Sequence, residues 1–121
     1  MATQKDVCHR IGGGHVGNLA LRPQEANLHP PGVSVLIGGT AEQAATVWRA
    51  VFPKPGPSAK ASVIGVAEIE KIRVLGFDVI EVPTPNFPNH GRLIHPALGE
   101  AGFTPENLQR LSNVFTDRAG L

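Results

Sequence analysis

Residues 30–51 read PPGVSVLIGGTAEQAATVWRAV, and this stretch carries the strongest structural signals in the chain. The apolar run over residues 32–37 is typical of a buried strand, and a pair of glycines ends it. Thr40 is followed three residues later by Gln43, a capping-box pattern that predicts the start of a helix. Small and apolar residues then recur at helical spacing, so one face of this helix should pack inward.

On both sides of this stretch, the same signals predict shorter elements. Strands are predicted over residues 6–11, 62–66, 77–82 and 92–95, and helices over residues 67–75 and 104–115. Residues 12–31 read as a long loop with one helical turn at 24–27, residues 53–60 as a stiff proline-rich linker, and the tail after Thr116 as frayed. We therefore expect one α+β domain over residues 1–121, with one twisted mixed sheet and two to three helices packed on it. The strand order stays open.

Composition excludes several classes of protein. The net charge is only +1, and there are five Phe, one Trp and no Tyr, which disfavours a nucleic-acid binder. Cys8 is the single cysteine, so no internal disulfide can form. The sequence shows no apolar run long enough for a membrane span and no signal-peptide core. We expect cytoplasmic residence, or export without a cleavable signal peptide.

Candidate chemistry begins at the end of the first predicted strand. There His9 and Arg10 should point to opposite faces, and an arginine beside a glycine-rich loop can hold a phosphate or pyrophosphate. Gly12 and Gly13 would allow the backbone to approach a ligand closely. The dinucleotide fingerprint is not met, because no convincing helix follows the glycines. A solvated arginine and a flexible loop are the alternative interpretation.

Two further polar residues stand out. Ser34 lies inside an apolar strand, and a buried hydroxyl needs a partner from the protein or from a ligand. His90 lies where a proline-rich loop enters a strand, a position that often carries functional side chains, although it could also bond only to the backbone. His95 is five residues further on and should face the other way, and no metal-binding spacing occurs, so no metal site is predicted. Glu81 is the acid best placed for a cleft, but a solvated strand edge explains it equally well.

Three stretches together resemble a known family. They are the strand-borne Arg10, the segment PPGVSV at residues 30–35, and the segment PNHGRLIHP at residues 88–96. In combination they resemble small bacterial toxins of the ADP-ribosyltransferase-like group, including type VI secreted examples. The resemblance implies NAD as the substrate, cleavage of its nicotinamide–ribose bond, and transfer of ADP-ribose or hydrolysis.

The resemblance also implies roles for individual residues. It implies that Arg10, or His9, contacts NAD and that Ser34 supports the pocket of the nicotinamide ribose. With Gly12 and Gly13, whose backbone can approach a ligand closely, these residues form the predicted NAD-contacting set. The resemblance implies a catalytic set of Arg10, Ser34 and His90. The chain has no tyrosine, and its only Glu-x-Glu text lies in a predicted helix, so whether it is an enzyme stays open.

Two alternatives of other classes remain. One is a non-enzymatic interaction protein, such as an immunity or accessory protein, that docks through the proline-rich segments 53–57 and 83–88. The other is a small-ligand binding module without turnover. A toxin would imply a cognate immunity protein or antitoxin as its partner. The toxin hypothesis requires Arg10, Ser34 and His90 to share one cleft.

Overall fold

A computed structural model of the chain describes residues 6–51 and 63–119. Its strands are β1 Val7–Ile11, β2 Gly32–Ile37, β3 Val63–Glu68, β4 Asp78–Glu81, β5 His90–Ile94 and β6 Thr116–Ala119. Its α-helices are α1 Val16–Leu19, α2 Pro23–Ala26, α3 Ala41–Val51, α4 Ile69–Val74 and α5 Pro105–Val114, with a 3₁₀ helix at Gly99–Gly102. This mixture confirms the α+β class. The linker predicted at residues 53–60 lies outside the described residues.

The six strands form one sheet in the order β4-β5-β2-β1-β3-β6. Every neighbouring pair among them is antiparallel, so the sheet is not mixed as predicted. The length of the segment that joins two strands does not decide whether they run parallel or antiparallel. A segment long enough for a parallel crossover can also join two antiparallel strands. The predicted frayed tail is also wrong at Thr116–Ala119, which pairs with β3 as an edge strand. Backbone pairing of this kind does not depend on an apolar side-chain pattern.

The two faces of the sheet carry different packing. The larger core fills one face, where α1, α4 and α5 contribute buried side chains that include Leu19, Ile72 and Leu111. On the opposite face α3 packs over β1 and β3, where Ala45 and Ile64 are buried. Among residues 6–51 and 63–119, α3 therefore covers only part of this second face.

The predicted helix starts are confirmed in atomic detail. The backbone N–H of Thr40 donates to Oε1 of Gln43 at 2.9 Å, and the backbone N–H of Gln43 donates to Oγ1 of Thr40 at 3.1 Å. At α5, Oγ1 of Thr104 accepts a bond from the backbone of Asn107 at 3.2 Å. These caps satisfy backbone donors that have no partner within the helix. In the described ranges no helix has the length and apolar character needed to cross a membrane.

Candidate functional site

The strands β1 and β2 diverge in the middle of the sheet. Their pairing covers only Cys8 with Ile37 and His9 with Leu36, although β1 stays paired to β3 as far as Ile11. Beyond that point the two strands part, and a cavity of about 470 Å³ opens where pairing stops. Residues 10–11 of β1 and 34–35 of β2 all line it.

The cavity is lined by cationic, neutral polar and aromatic side chains. Its polar residues are His9, Arg10, Asn18, Arg22, Ser34, Thr84 and His90. Trp48 of α3 and Phe87 of the β4–β5 loop also line it. No carboxylate is found among the described residues that line the cavity, and Arg10 and Arg22 are the cationic arginines in this lining.

Arg10 spans the gap between the diverging strands. Its Nη1 donates to the backbone oxygen of Ser34 at 2.8 Å, while Nε and Nη2 donate to the backbone oxygen of Asn18 at 3.0 and 2.6 Å. Burial lowers the pKa of Arg10 to about 10, the charge of Glu25 raises it, and that of Arg22 lowers it. The side chain is thus still cationic at neutral pH. Its hydrogen bonds to the described residues use three of the five guanidinium N–H groups.

Asn18 organises the turn that follows β1. Its Oδ1 accepts from the backbone N–H of Gly14 at 2.9 Å, and its Nδ2 donates to the backbone oxygen of Ile11 at 3.1 Å. Gly12 has a φ of +105°, and a Cβ there would lie 2.6 Å from Nδ2 of Asn18. Gly12 and Gly13 are not among the residues that line the cavity. The glycines therefore shape the turn that places Asn18 beside Arg10.

Ser34 is exposed, so the expectation of a buried hydroxyl is wrong. Its neighbours Val33 and Val35 are buried in the large core on the opposite face of the sheet. The serine points to the partly covered face and lines the cavity there. The sequence around Ser34 is apolar because those neighbours point into the large core, whereas Ser34 points to the other face.

Two histidines flank Leu36 across the floor of the cavity. Strand register pairs Leu36 with His9 on β1 and with His90 on β5, so all three point to the same face. Nδ1 of His90 lies 2.8 Å from the backbone oxygen of Val82. A carbonyl oxygen only accepts, so Nδ1 carries the proton and Nε2 holds the lone pair of the neutral ring.

His9 is 1% exposed, and its Nδ1 is a buried side-chain atom without a hydrogen-bond partner among the described residues. Burial lowers the pKa of His9 below its ordinary value, an effect that a hydrogen bond to the Leu36 backbone and the charge of Glu42 partly offset. His9 is therefore neutral at pH 7. A buried polar atom without a partner is uncommon in folded proteins and is found at functional sites.

Arg22 and Glu25 form an ion pair beside the cavity that the sequence analysis did not single out. Nη2 of Arg22 lies 3.3 Å from Oε2 of Glu25, whose side chain is buried, while the arginine is 62% exposed. Glu25 also accepts from the backbone N–H of Arg22 at 2.9 Å, which caps α2. The hydrogen bond and charge of Glu25 raise the pKa of Arg22. Proline at the first helical position with glutamate two residues later is the signal that marks this cap.

Other residues named from the sequence lie elsewhere. His95 packs edge-on against Phe77 with ring centroids 4.8 Å apart, and its Nδ1 accepts from the backbone of Leu98 at 3.0 Å. Glu81 is exposed and does not line the cavity. Within the two described ranges, no three His, Cys, Asp or Glu side chains come together as metal ligands. The three residues that the toxin hypothesis requires in one cleft, Arg10, Ser34 and His90, do line one cavity.

Comparisons with protein-family models, with curated proteins and with solved structures find no match to this chain. The function is therefore inferred from the cavity's own residues and from the resemblance of the three sequence segments.

Proposed function

We propose that the chain binds NAD in this cavity, as the first step of an NAD-consuming, ADP-ribosyltransferase-like activity. The observation that supports binding is that Arg10, Ser34 and His90 line a single cavity, in which the described lining residues include no carboxylate. A ligand that fits such a lining carries negative charge, hydrogen-bonding groups and a planar ring. NAD has all three, and the sequence resemblance names it.

Charge should attract the pyrophosphate of NAD to the end of the cavity formed by Arg10 and Arg22. Arg10 is held in place by its bonds to the two backbone oxygens, so its remaining N–H groups are fixed before a ligand arrives. Charge-assisted bonds from arginine to phosphate are stronger than neutral ones, and partial burial of Arg10 strengthens them further. Ser34 lines the same cavity and would supply a hydroxyl to the same ligand.

The cleavage that we propose is hydrolysis of the nicotinamide–ribose bond. The C–N bond breaks and its electron pair stays on the ring nitrogen, so nicotinamide leaves as a neutral molecule. Water forms the new C–O bond to the ribose, and its proton passes to Nε2 of His90 and then to solvent. The bond from His90 Nδ1 to Val82 leaves Nε2 as the basic nitrogen for this transfer.

A binding module without turnover is the second candidate. It is favoured by the absence of a carboxylate among the described lining residues, because a carboxylate commonly stabilises an oxocarbenium-like transition state. The two candidates share the same ligand and differ in whether nicotinamide is released.

Thermal unfolding at increasing NAD concentration tests binding, and chromatography of the same mixtures tests release of nicotinamide. Above the dissociation constant, each tenfold rise in NAD should stabilise the fold by about 1.4 kcal/mol. Arg22→Gln should weaken binding roughly tenfold through loss of a charge-assisted bond. Arg110→Gln, an equal charge change on the exposed surface of α5, should have no effect. An unchanged melting temperature at millimolar NAD contradicts the proposal, and stabilisation without nicotinamide release selects the binding module.

A further inference from the structure

We infer that Trp48 and Phe87 bind the planar ring of the ligand, so that the cavity selects nucleoside phosphates over other phosphate compounds. The inference rests on the proposed function and adds the class of ligand that the cavity distinguishes. It concerns the aromatic end of the cavity, which the sequence analysis did not single out.

The two aromatic side chains come from different elements and line the same cavity. Trp48 lies on α3 and Phe87 on the loop between β4 and β5. Their ring centroids are 6.0 Å apart and their planes differ by 25°. Both residues line the cavity, so it offers aromatic side chains on which a heteroaromatic ring would gain stacking energy.

Phe87 is held in place by the hydrogen bonds of its own turn. The backbones of Thr84 and Phe87 bond to each other in both directions, at 3.1 and 3.2 Å, and Oγ1 of Thr84 accepts from the Phe87 N–H at 3.1 Å. The backbone oxygen of Phe87 also accepts from His90 at 3.0 Å, which ties the turn to the start of β5. A ring that is already ordered loses little entropy when a ligand binds.

The aromatic and the cationic residues are linked through β2. The backbone oxygen of Phe87 accepts from the backbone of His90, which pairs with Leu36, whereas Arg10 bonds the backbone oxygen of Ser34. Leu36 and Ser34 both line the same cavity. A nucleotide carries a base and a phosphate on one ribose, so a single ligand can use both sets of residues.

The fluorescence of Trp48 provides a direct test, because it is the only tryptophan and the chain has no tyrosine. AMP would be titrated directly, and ribose 5-phosphate, which has no ring to stack on Trp48, would be titrated as a competitor of AMP. We expect AMP to quench the emission and to bind about tenfold more tightly than ribose 5-phosphate, in line with the energy of one stacked base. Phe87→Leu should remove most of this preference, and Phe87→Tyr, which keeps an aromatic ring, should retain it.

Equal affinity of the wild-type chain for AMP and ribose 5-phosphate would overturn the inference. So would a Phe87→Leu variant that keeps the full preference. Either result leaves NAD binding at the arginines standing if NAD still raises the melting temperature. Failure of NAD to stabilise the wild-type chain instead overturns the proposed function. The wild-type comparison needs no variant, so the test holds even where a substitution disturbs the loop.

Discussion

Nη1 of Arg10 donates a 2.8 Å hydrogen bond to the backbone oxygen of Ser34, at the level where β1 and β2 no longer pair. The guanidinium thus bonds a backbone group of β2 across the gap between the strands, and the same side chain also bonds the backbone of Asn18. Arg10 therefore helps to form the cavity that it lines. A substitution at Arg10 reports on folding as well as on ligand binding.

Arg10→Ala should destabilise the chain by roughly 3 kcal/mol, because two partly buried carbonyl oxygens lose their charged partner. Urea-induced unfolding measures the change. Arg110→Ala, on the solvent side of α5, is the matched control and should stay within about 0.5 kcal/mol of wild type. If the two alanine variants unfold at the same urea concentration, Arg10 does not bridge the strands as described.

Cys8 should be unreactive in the folded chain. The side chain is 0% exposed, and burial raises the pKa of its thiol to about 12, so almost no thiolate exists at neutral or mildly basic pH. Since it is the only cysteine, alkylation by iodoacetamide followed by mass spectrometry reads this site alone. We expect labelling to be slow in buffer and rapid in denaturant. Equally fast labelling under both conditions would show that β1 is not buried in the sheet.

His9 should make the fold less stable in mild acid. Its pKa in the folded chain is lower than the ordinary 6.5, so between these two values the unfolded chain binds more protons. The free energy of unfolding therefore falls as pH drops below about 6.5, and the fall ends below the folded-state pKa. Denaturation at pH 7 and pH 5 measures it. His9→Gln should reduce the difference between the two pH values, and the exposed His15→Gln should not. A pH dependence that is the same in all three proteins contradicts this assignment.

The capping box of α3 should contribute about 1 kcal/mol to stability. Thr40→Ala removes the oxygen that accepts from the backbone of Gln43, and losses of this kind cost about that much. Thr46→Ala is the matched control, since Thr46 lies on the exposed face within the same helix, where alanine is the better helix former. The two variants should shift the melting temperature in opposite directions. A Thr40→Ala chain as stable as Thr46→Ala would mean that the cap contributes nothing.

Local sequence signals are sufficient to predict the main helices and strands. The pattern of Thr40 with Gln43 predicts a helix start because both bonds of the cap form within four residues. The four-residue α1 was missed because it is too short to show a periodic pattern. Strand direction was missed because pairing partners are chosen by the whole sheet.

The candidate site is only partly predictable from the sequence, because it too depends on which strands pair. Arg10 and His90 stand out in sequence by their neighbours, but their meeting in one cavity depends on β1, β2 and β5 lying side by side. Whether Ser34 is buried depends on what covers that face of the sheet, which no residue near it specifies. Pro23 and Glu25 mark Arg22 as a helix cap, and Phe87 lies in a loop, so neither residue gives a signal that it lines the cavity.

The most direct test of NAD binding in the cavity compares Ser34→Glu with Ser34→Gln by titration calorimetry. Both side chains extend from an exposed position and differ by one charge, so the fold should tolerate either. The glutamate can pair with the nearby arginines and repel a pyrophosphate, so we predict that Ser34→Glu binds NAD at least about tenfold more weakly than Ser34→Gln. Equal affinity for NAD in the two variants, with both folded, would contradict the account.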